Sequence, residues 1–363
     1  MSYITLKEQR SMSTIPHVQR LYGGKPIIAP IANHPWENRV TFNPACAFVD
    51  DRPTLETVIR TLPFDEQTRT TLRAQSGLCF LLYRAQGART AEYDHTRSSV
   101  GLAVLSPTLE LLARHSEPVI RPDQEYEDLG VEDARITRVE DRFYAFYTAY
   151  HSASPANTMR IALASTQDFV HWEKHGLLKA EFNKINNKNA MLFPSKRDGK
   201  FLMFHRPMEG PERQSIHWAE SESVLGPWKT RGLLMKPLRN PSYVDTWTGG
   251  GPPPLLLEDG RYLIIYHNGN KRADESRHYE LAIAIGDLTA PGFITRRDEP
   301  LLRAETAWET TGNAELGVND VVFACGCYFY RGDLYLPYAG ADSVVLAGKI
   351  PGEEIRRYVA TEG

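Results

Sequence analysis

Short apolar runs separated by turn residues dominate the chain, and helical spacing of apolar residues is rare. Such spacing occurs in TLETVIRTL (residues 54–62) and DEQTRTTLRA (residues 65–74). Elsewhere, runs of about six apolar or aromatic residues alternate with Gly, Asp and Pro, which is the pattern of β-strands joined by tight turns. The sequence therefore predicts an all-β protein with two short helices in its first quarter.

One kind of strand recurs five times at similar intervals. The five runs are GLCFLLYRAQG from Gly77, DRFYAFYTAY from Asp141, GKFLMFHRPMEG from Gly199, GRYLIIYHNGN from Gly260 and GDLYLPYAGAD from Gly332. Their starting positions are 64, 58, 61 and 72 residues apart. Each run lies between two further apolar strands, as in AMLFPSKRD before and SIHWAES after the third run. Each repeat is therefore predicted to form a sheet of about four antiparallel strands.

Repeated four-stranded sheets favour one architecture, because a single such sheet cannot bury both of its faces. Packing like sheets around an axis covers both faces. Five units then predict a five-bladed β-propeller over residues 41–363. The preceding residues, 1–40, are predicted to form an N-terminal extension that closes the ring or packs on a neighbouring subunit. A β-sandwich with chance similarity between its strands is the alternative, and five runs with matching flanks argue against it.

The composition narrows the classes of partner and location. The 363 residues carry a net charge of −3 with 24% charged residues, so neither nucleic acid nor another polyanion is expected as a partner. No apolar stretch approaches ~18 residues and the first residues lack a signal-peptide run, which predicts a cytoplasmic protein without a membrane segment. The four cysteines and 11 scattered histidines lack zinc-ligand spacing, so no metal is expected.

Polar residues cluster where the predicted strands end. In a propeller the innermost strands line a central channel, so side chains distant in sequence meet in one funnel. The first strands would contribute Asn43, Glu132, Asp133, Phe193, Pro194, residues 251–254, Asn319 and Asp320, and the second strands Arg84, His205, Arg206, His267 and Asp342. Carboxylates, amides, cations and aromatic rings together are typical of a sugar site, and Trp247 is a candidate platform for the sugar ring.

Glu132, Asp133 and Arg135 stand together in GVEDARI, at the entrance of a strand that must be buried. The funnel explains these charges, because a polar pocket rather than an apolar core would surround them. Neighbouring residues of a strand point to opposite faces. We therefore expect only one of Glu132 and Asp133 to face a substrate, and the other to act as a clamp that is paired with an arginine.

An ordered series of motifs resembles glycoside hydrolase family 130. The motifs are GVEDARI, LFP, FHRP, GGGPPPLLLEDGRYLIIYHNG, NDVVFACG and YAGAD, and the resemblance runs from about Asn43 to Ala347. Ala134 departs from the pattern, since the family usually has proline there. The resemblance implies a five-bladed propeller and activity on β-mannosides.

The resemblance also implies roles for individual residues. Asp133 matches the proton donor of an inverting displacement, which acts directly or through a mannose hydroxyl. Asp342 matches a residue that holds the mannose in the −1 subsite. Asn43, Arg84 and His205 fit sugar-binding positions, and Glu132 is counted with them.

Phosphorolysis and hydrolysis require different residues. An inverting hydrolase needs a second carboxylate that activates water, roughly 6.5–9.5 Å from the acid. The candidates for such a base are Glu209, Glu212, Glu275 and Glu280. A phosphorylase needs cations that bind phosphate instead. His267 matches a phosphate-contacting position of the family, and Arg206, Arg160 and Lys188 add positive charge.

The favoured expectation is an inverting β-mannoside phosphorylase that uses inorganic phosphate as its co-substrate and needs no cofactor. Its products would be α-mannose 1-phosphate and a shortened sugar. An inverting β-mannosidase and a non-catalytic sugar-binding propeller are alternatives. An enzyme of another five-bladed family, with Asp50 or Asp51 as nucleophile, is a further one. The linkage (β-1,2 or β-1,4), the acceptor sugar and the formation of a homo-oligomer stay open.

Overall fold

The computed structural model describes residues 15–89, 96–238, 241–287 and 293–362. Nearly all of its regular structure is β, as predicted. The helices are α1 (Arg52–Thr61), α2 (Glu66–Arg73), α3 (Ala307–Thr310) and α4 (Gly352–Thr361), and 3-10 turns lie at Leu21–Gly24, Glu125–Glu127 and Glu181–Asn183. Within these described ranges, no helix has both the length and the apolar character needed to span a bilayer.

The two helices predicted near the N-terminus are confirmed as α1 and α2. An aspartate caps each of them: Asp51 accepts a hydrogen bond from the Thr54 amide and Asp65 accepts one from the Thr68 amide. An aspartate at this position satisfies an amide that has no partner within the helix. The helices bury Leu55, Val58, Ile59 and Leu72 in the same core as the first sheet.

The strands fall into five units, called A to E below. A short strand, β1 (Gln19–Arg20), comes first in the chain and belongs to unit E. Unit A consists of β2 (Val40–Val49), β3 (Leu78–Gln86), β4 (Ser98–Leu105) and β5 (Leu111–Arg114). Unit B consists of β6 (Gly130–Val139), β7 (Arg142–His151), β8 (Thr158–Thr166) and β9 (Glu173–Leu177). Unit C consists of β10 (Asn187–Leu192), β11 (Phe201–Pro207), β12 (Ile216–Ser221) and β13 (Lys229–Met235).

Units D and E contain the remaining strands. Unit D consists of β14 (Asp245–Gly250), β15 (Leu255–Leu256), β16 (Tyr262–Lys271), β17 (Arg277–Asp287) and β18 (Phe293–Arg296). Unit E consists of β19 (Val322–Phe323), β20 (Tyr328–Tyr330), β21 (Asp333–Gly340), β22 (Val344–Ile350) and β1. Neighbouring strands within a unit pair antiparallel. A parallel bridge between Ser98 and Gly130 joins units A and B into one sheet.

Consecutive units pack against one another. The first strands of units A, B, C and D contact in that order, β17 of unit D contacts β19 of unit E, and β21 contacts β2. Apolar side chains of adjacent units share their clusters, as Phe146 of unit B does with Met203 of unit C, and Phe204 of unit C with Ile264 of unit D. Each sheet thus buries its faces against its neighbours, as expected for sheets that cannot cover themselves.

The residues before unit A complete the sheet of unit E. β1 pairs with β22, and the Ile27 amide donates a hydrogen bond to the Val345 carbonyl. The Arg20 guanidinium binds the fully buried carboxylate of Glu309 at 2.8 Å. Of the predicted extension over residues 1–40, the first 14 residues lie outside the described ranges. The following segment packs on the last unit of the same chain.

Three of the first strands contain an equivalent bulge. Asn43 in β2, Asp133 in β6 and Asn189 in β10 have φ of 46°, 52° and 55°, and the register of each strand shifts at that point. Asn and Asp tolerate this left-handed conformation better than most residues do. A bulge inserts an extra residue and re-aims the side chains beside it. These bulges place the three side chains at the site described next.

Candidate active site

All five units contribute residues to a polar cavity of about 330 Å³. Three kinds of position supply its lining: the first strands, the ends of the second strands and the starts of the third strands. The lining residues are Asn43, Arg84, Glu132, Asp133, Tyr150, Met159, Lys188, Asn189, Arg206, His267, Arg277, Tyr279, Val321, Phe323 and Asp342. Eight of the predicted site residues are therefore brought together: Asn43, Arg84, Glu132, Asp133, Lys188, Arg206, His267 and Asp342.

Arg84 holds two carboxylates on one side of this cavity. Its Nη2 lies 2.7 Å from Oε1 of Glu132, and its Nη1 lies 3.2 Å from Oδ1 of Asp133. The amide Nδ2 of Asn43 donates to the same Asp133 oxygen at 2.7 Å. Lys188 adds a second cation, 3.3 Å from Oε2 of Glu132. The four charged groups form a continuous network in which each carboxylate is neutralised.

The expectation that only one of Glu132 and Asp133 faces the cavity is wrong, because both line it and both bind Arg84. The reason is the bulge in β6. Strict alternation holds for a regular strand, but the left-handed φ of 52° at Asp133 interrupts it. The predicted pairing with an arginine is present, and it includes both carboxylates.

Asp133 is ionised in this network. Burial alone would raise the pKa of its carboxyl, but the charges of Arg84, Lys188 and Arg135 and the hydrogen bond from Asn43 outweigh burial. The pKa of Asp133 is therefore held well below its usual range. A general acid must be protonated when it acts, so a proton has to reach this residue before it can give one.

Asp342 has a different environment from the other two carboxylates. It follows β21 with a left-handed φ of 47°, and it is only partly buried because its side chain faces the cavity. Burial raises the pKa of Asp342 to about 7, the charge of Arg84 opposes this rise, and Asp133 and Glu132 add to it. Asp133 and Asp342, two carboxyl groups of one cavity, thus differ widely in their affinity for a proton.

Cations and aromatic rings form another part of the lining. Arg206 is buried and donates from Nη1 to Nε2 of His267 at 3.3 Å. Burial and the nearby charge of Arg206 hold the pKa of His267 well below its usual range, so the imidazole is neutral. His267 packs against Phe323 with ring centroids 4.5 Å apart. Arg277 and Tyr279 at the start of β17 complete this part.

Several buried polar atoms around the cavity have no hydrogen-bond partner in the described part of the chain. They include Oδ1 of Asn43 and Asn189, Nε of Arg206 and Nδ1 of His267. Buried polar groups in native proteins are almost always hydrogen-bonded, and each exception calls for an explanation. Two acceptors on the amides and two donors on Arg206 and His267 fit a ligand with both hydroxyl groups and anionic oxygens.

Arg135 supports the floor beneath these residues. Its side chain is 1% exposed, and its guanidinium donates to the carbonyls of Asp133, Gly250 and Gly251 at 2.7–2.9 Å. The contacts link β6 of unit B to the glycine run of unit D. Arg135 is therefore a structural residue that fixes the backbone of Asp133, whereas its two carboxylate neighbours in sequence line the cavity.

The glycine run of β14 allows unusually close packing. A Cβ at Gly249 would lie 2.6 Å from Nε2 of His267 and 2.7 Å from Oδ1 of Asn189. Real Cβ atoms essentially never come so close to another atom. Unit D therefore contributes backbone rather than a side chain from its first strand, and this leaves room for side chains from units C and D.

Several residues predicted for the site do not line the cavity, including the strand-entrance residues Phe193, Pro194, 251–254, Asn319 and Asp320. Three residues with predicted binding roles are also outside the lining. His205 is buried behind it, stacked on Phe182 with centroids 3.9 Å apart. Trp247 is buried and packs edge-on against Tyr279. Arg160 donates to the Lys184 carbonyl and to Oδ1 of Asn186. The binding roles assigned to His205, Trp247 and Arg160 stay predictions, and their placement suits support of the lining.

The carboxylates proposed for other mechanisms also lie outside the lining. Glu209 accepts from the Asn186 amide, Glu275 pairs with Lys271, and Glu280 pairs with Arg303 and His278. Glu212 is exposed, and Asp51 caps α1 while binding Arg138. Neither a second acid–base carboxylate from this group nor a nucleophile at Asp50 or Asp51 is placed at the cavity.

Seven lining residues were not anticipated from the sequence: Tyr150, Met159, Asn189, Arg277, Tyr279, Val321 and Phe323. Asn189 could have been found by aligning the repeats, because it occupies in β10 the position of Asn43 in β2 and Asp133 in β6. Arg277 and Tyr279 lie at the start of a third strand, where no local motif marks them. No group of three or more His, Cys, Asp or Glu residues suited to a metal occurs in the described ranges.

Comparison with known proteins finds relatives that are mannoside phosphorylases. The family glycoside hydrolase 130, described as beta-1,4-mannooligosaccharide phosphorylase, matches residues 72–360. A 1,2-beta-oligomannan phosphorylase of Thermoanaerobacter sp. (strain X514) is 30% identical over 88% of this chain and 93% of its own length. A beta-1,2-mannobiose phosphorylase of the same organism is 28% identical over 92% of this chain and 97% of its own.

A solved structure gives the same likeness at the level of the fold. The beta-1,2-mannobiose phosphorylase from Listeria innocua, in complex with beta-1,2-mannobiose, superposes with a TM-score of 0.72. The superposition covers 95% of this chain and 99% of that one at 22% sequence identity.

Proposed function

The chain belongs to glycoside hydrolase family 130, and from that premise we propose that it cleaves β-1,2-linked mannosides with inorganic phosphate. The products are α-mannose 1-phosphate and a sugar shortened by one mannose unit. Two relatives that match over nearly their whole length act, by their names, on β-1,2-linked mannose, which supports this linkage. The family description names β-1,4-linked mannooligosaccharides, which makes that linkage the alternative.

The observation that carries the proposal is the composition of one cavity. A carboxylate network of Asp133 and Glu132 lies in the same 330 Å³ as Arg206, His267 and Arg277. Arg277 has no ion-pair partner among the described residues, and Arg206 keeps an unused buried N–H. Guanidinium groups with free donors are suited to phosphate oxygens. A sugar and a phosphate can therefore meet at a single site.

The proposed reaction divides the lining into two groups. Asn43, Arg84, Asn189 and Asp342 bind the hydroxyl groups of the −1 mannose, and Glu132 orients Arg84 and Lys188. Arg206, Arg277 and Lys188 hold phosphate, and neutral His267 donates to it from Nδ1. Phosphate attacks the anomeric carbon from the face opposite the leaving oxygen, which inverts the configuration. Asp133 supplies the proton to the leaving oxygen, directly or through a mannose hydroxyl.

Hydrolysis is the alternative reaction on the same scaffold, and the structure supports it less. The glutamates proposed as bases for water lie outside the lining, and Glu132 is paired with both Arg84 and Lys188. Each oxygen of the Glu132 carboxylate is thus already bound by a cation, and neither is free to activate a water molecule. Asp342 is the remaining carboxyl of the lining, and a hydrolase would have to use it as the base that activates water.

Incubation with β-1,2- and β-1,4-mannobiose, with and without phosphate, tests the proposal. We expect mannose 1-phosphate to form only with phosphate present and faster from the β-1,2-linked disaccharide. Its α configuration is read from the anomeric proton and phosphorus NMR signals. Free mannose at the same rate in both conditions would show a hydrolase. Binding without turnover of either sugar would favour the non-catalytic alternative.

We also propose that the five units form a closed five-bladed propeller around this cavity. The contacts between consecutive units, including those of unit E with unit A, support closure. The Cys325 amide donates to the Pro44 carbonyl across that last junction. β1 completes the sheet of unit E from the N-terminal side, as expected if the two ends of the chain meet in one blade.

A cytoplasmic location is part of the same proposal. The four cysteines are free thiols, and three of them are buried. Burial raises the pKa of Cys325 to about 12, so its thiol stays protonated and unreactive. Unpaired structural cysteines are common where the redox environment is reducing. Neither a cofactor nor a metal has a role in the proposed reaction, in which phosphate is the co-substrate.

A further inference from the structure

Asp342 is the carboxyl group at the cavity that the charge network leaves unpaired. Glu132 and Asp133 each bind Arg84, and Glu132 also binds Lys188. Asp342 makes no hydrogen bond or ion pair with any residue in the described ranges. Its position is nevertheless fixed, since both it and Ala341 adopt a left-handed backbone at the end of β21. The side chain faces the cavity that holds the proposed acid.

The surrounding charges decide which carboxyl group keeps a proton. The groups that act on Asp342 are Arg84 and Lys188, which favour its anion, and Asp133 and Glu132, which oppose it. Tyr279 and Cys325 also face it, and both are neutral because burial raises the pKa of each. Arg84 and Lys188 already neutralise Asp133 and Glu132 through direct contacts. Ionising Asp342 as well would place a third carboxylate near Glu132 and Asp133, in a poorly solvated space and with no cation of the described residues in direct contact with it.

We propose that Asp342 stores the proton of the reaction and passes it to Asp133 through a hydroxyl group of the bound mannose. The proposal rests on the function proposed above and adds the source of the proton to it. Asp342 thus acts through Asp133 and makes no bond to the reacting carbon. The raised pKa of Asp342 and the depressed pKa of Asp133 support this division, because environments that separate two carboxyl groups commonly divide their roles in acid–base chemistry.

The proton balance closes without any further reactant. The bond between the anomeric carbon and the leaving oxygen breaks, and a bond between that carbon and a phosphate oxygen forms. The leaving oxygen takes a proton from Asp133, either directly or through a mannose hydroxyl, and Asp133 receives one from Asp342 by the hydroxyl relay. Hydrogen phosphate loses its proton as it becomes the phosphate ester, and this proton returns to Asp342 through solvent.

Infrared spectroscopy of protein labelled with 13C in the aspartate carboxyls tests the storage site directly, without substrate. Labelling aspartate alone removes interference from Glu127, whose pKa burial raises. We expect a protonated-carboxyl band at pH 5.5 that disappears with a midpoint at about 7. The band should be absent in Asp342→Asn and retained in Asp133→Asn. A band that survives in Asp342→Asn, or that is absent from the wild type, would overturn the proposal.

The pH dependence of turnover tests the transfer. At saturating mannobiose, the wild-type kcat should fall above pH 7, by roughly tenfold per pH unit once Asp342 is ionised. Asp342→Asn, a substitution that the left-handed backbone tolerates, should have a low kcat without this decline. Phosphate titrates near the same pH, so the informative quantity is the ratio of the wild-type to the variant kcat in identical phosphate buffers. A ratio independent of pH would refute the transfer step.

The two measurements separate this inference from the function on which it rests. Suppose that the titrating band is present and is lost in Asp342→Asn, but that the wild-type protein shows no phosphorolysis. Asp342 would then still be the protonated carboxyl, and both the phosphorylase function and the proton transfer would be rejected. Phosphorolysis with no such band would keep the phosphorylase and reject Asp342 as the proton store. Asp342→Asn introduces a neutral amide of the same shape and removes no ion pair. We therefore expect its melting temperature to equal that of the wild type, and this measurement checks that the variant is folded.

Discussion

Asp133 is surrounded by hydrogen-bond donors, and this explains why an ionised carboxylate is stable in the floor of the cavity. Asn43 and Arg84 donate to the same carboxylate oxygen, and the guanidinium of Arg135 holds the backbone carbonyl of Asp133. The left-handed backbone at this residue directs its side chain to the cavity beside Glu132. The function of the residue therefore depends on local backbone geometry as much as on its charge.

Replacing Asp133 with Asn should abolish phosphorolysis of an unactivated mannoside while leaving the fold intact. The amide keeps the shape and tolerates the left-handed backbone, but it cannot deliver a proton, and general acid assistance is worth about 10²–10⁴ in rate. The measurement is kcat with β-1,2-mannobiose, together with the melting temperature. Turnover close to that of the wild type would show that another group provides the proton.

Arg206→Gln should raise the KM for phosphate at least tenfold and change the KM for mannobiose much less. The variant loses a buried guanidinium that faces the anion with an unused donor, and a charge-assisted hydrogen bond is worth about 1.5–3 kcal/mol. The matched control is Arg231→Gln, which removes an exposed ion pair with Glu220 on another surface. Equal effects of the two substitutions on the phosphate KM would remove Arg206 from the phosphate site.

At the scale of the strand, the bulges and the glycine run separate what the sequence could predict from what it could not. The alternation of apolar residues predicted the strands, and turn positions predicted where they end. The same alternation predicted opposite faces for Glu132 and Asp133, which is wrong. Nothing in GVEDARI alone indicates the bulge that brings both to the cavity. The bulge is recognisable only when Asn43, Asp133 and Asn189 are compared as equivalent positions of three repeats.

Gly249→Ala should weaken phosphate binding through the packing of β14. The new Cβ would overlap the ring of His267 and the amide oxygen of Asn189, so one of these side chains must move. We expect kcat/KM for phosphate to fall at least tenfold, with only a modest loss in the free energy of unfolding. Gly286→Ala serves as the control, because its Cβ would meet the flexible end of Ile264 away from the cavity. Unchanged kinetics in Gly249→Ala would mean that the close packing is not required.

Arg135→Met should destabilise the protein by roughly 3 kcal/mol or more, because three buried carbonyl groups of β6 and unit D lose their donors. The free energy of unfolding from urea titration measures this loss. Arg138→Met, which breaks a partly exposed pair with Asp51, should cost only about 1 kcal/mol or less. Similar losses in the two variants would show that Arg135 does not hold the units together.

At the scale of the whole molecule, the sequence predicted more of the fold than of the cavity rim. Five repeats with a common spacing gave the five units, because each repeat carries its own strand and turn signals. The floor residues Asn43, Asp133 and His267 were predicted for the same reason, since they recur at strand ends. Arg277 and Tyr279 were not predicted, because their approach depends on how unit D is oriented towards its neighbours.

The displacement of three predicted residues from the lining has a related cause. His205 precedes Arg206 in β11, and the two side chains point to opposite faces of that strand, so only Arg206 reaches the cavity. Trp247 is buried and packs on Tyr279, and it is Tyr279 that reaches the lining. Distances between units decide such placements, and a single sequence contains no measure of them.

A crystal structure of the Asp133→Asn variant with phosphate and β-1,2-mannobiose tests the central claim most directly. We expect one mannose to contact Asn43, Arg84 and Asp342, with the glycosidic oxygen near position 133. We also expect phosphate on Arg206, His267 and Arg277, aligned with the anomeric carbon from the opposite face. A phosphate bound outside this cavity, or on the same face as the glycosidic oxygen, would contradict the proposed mechanism.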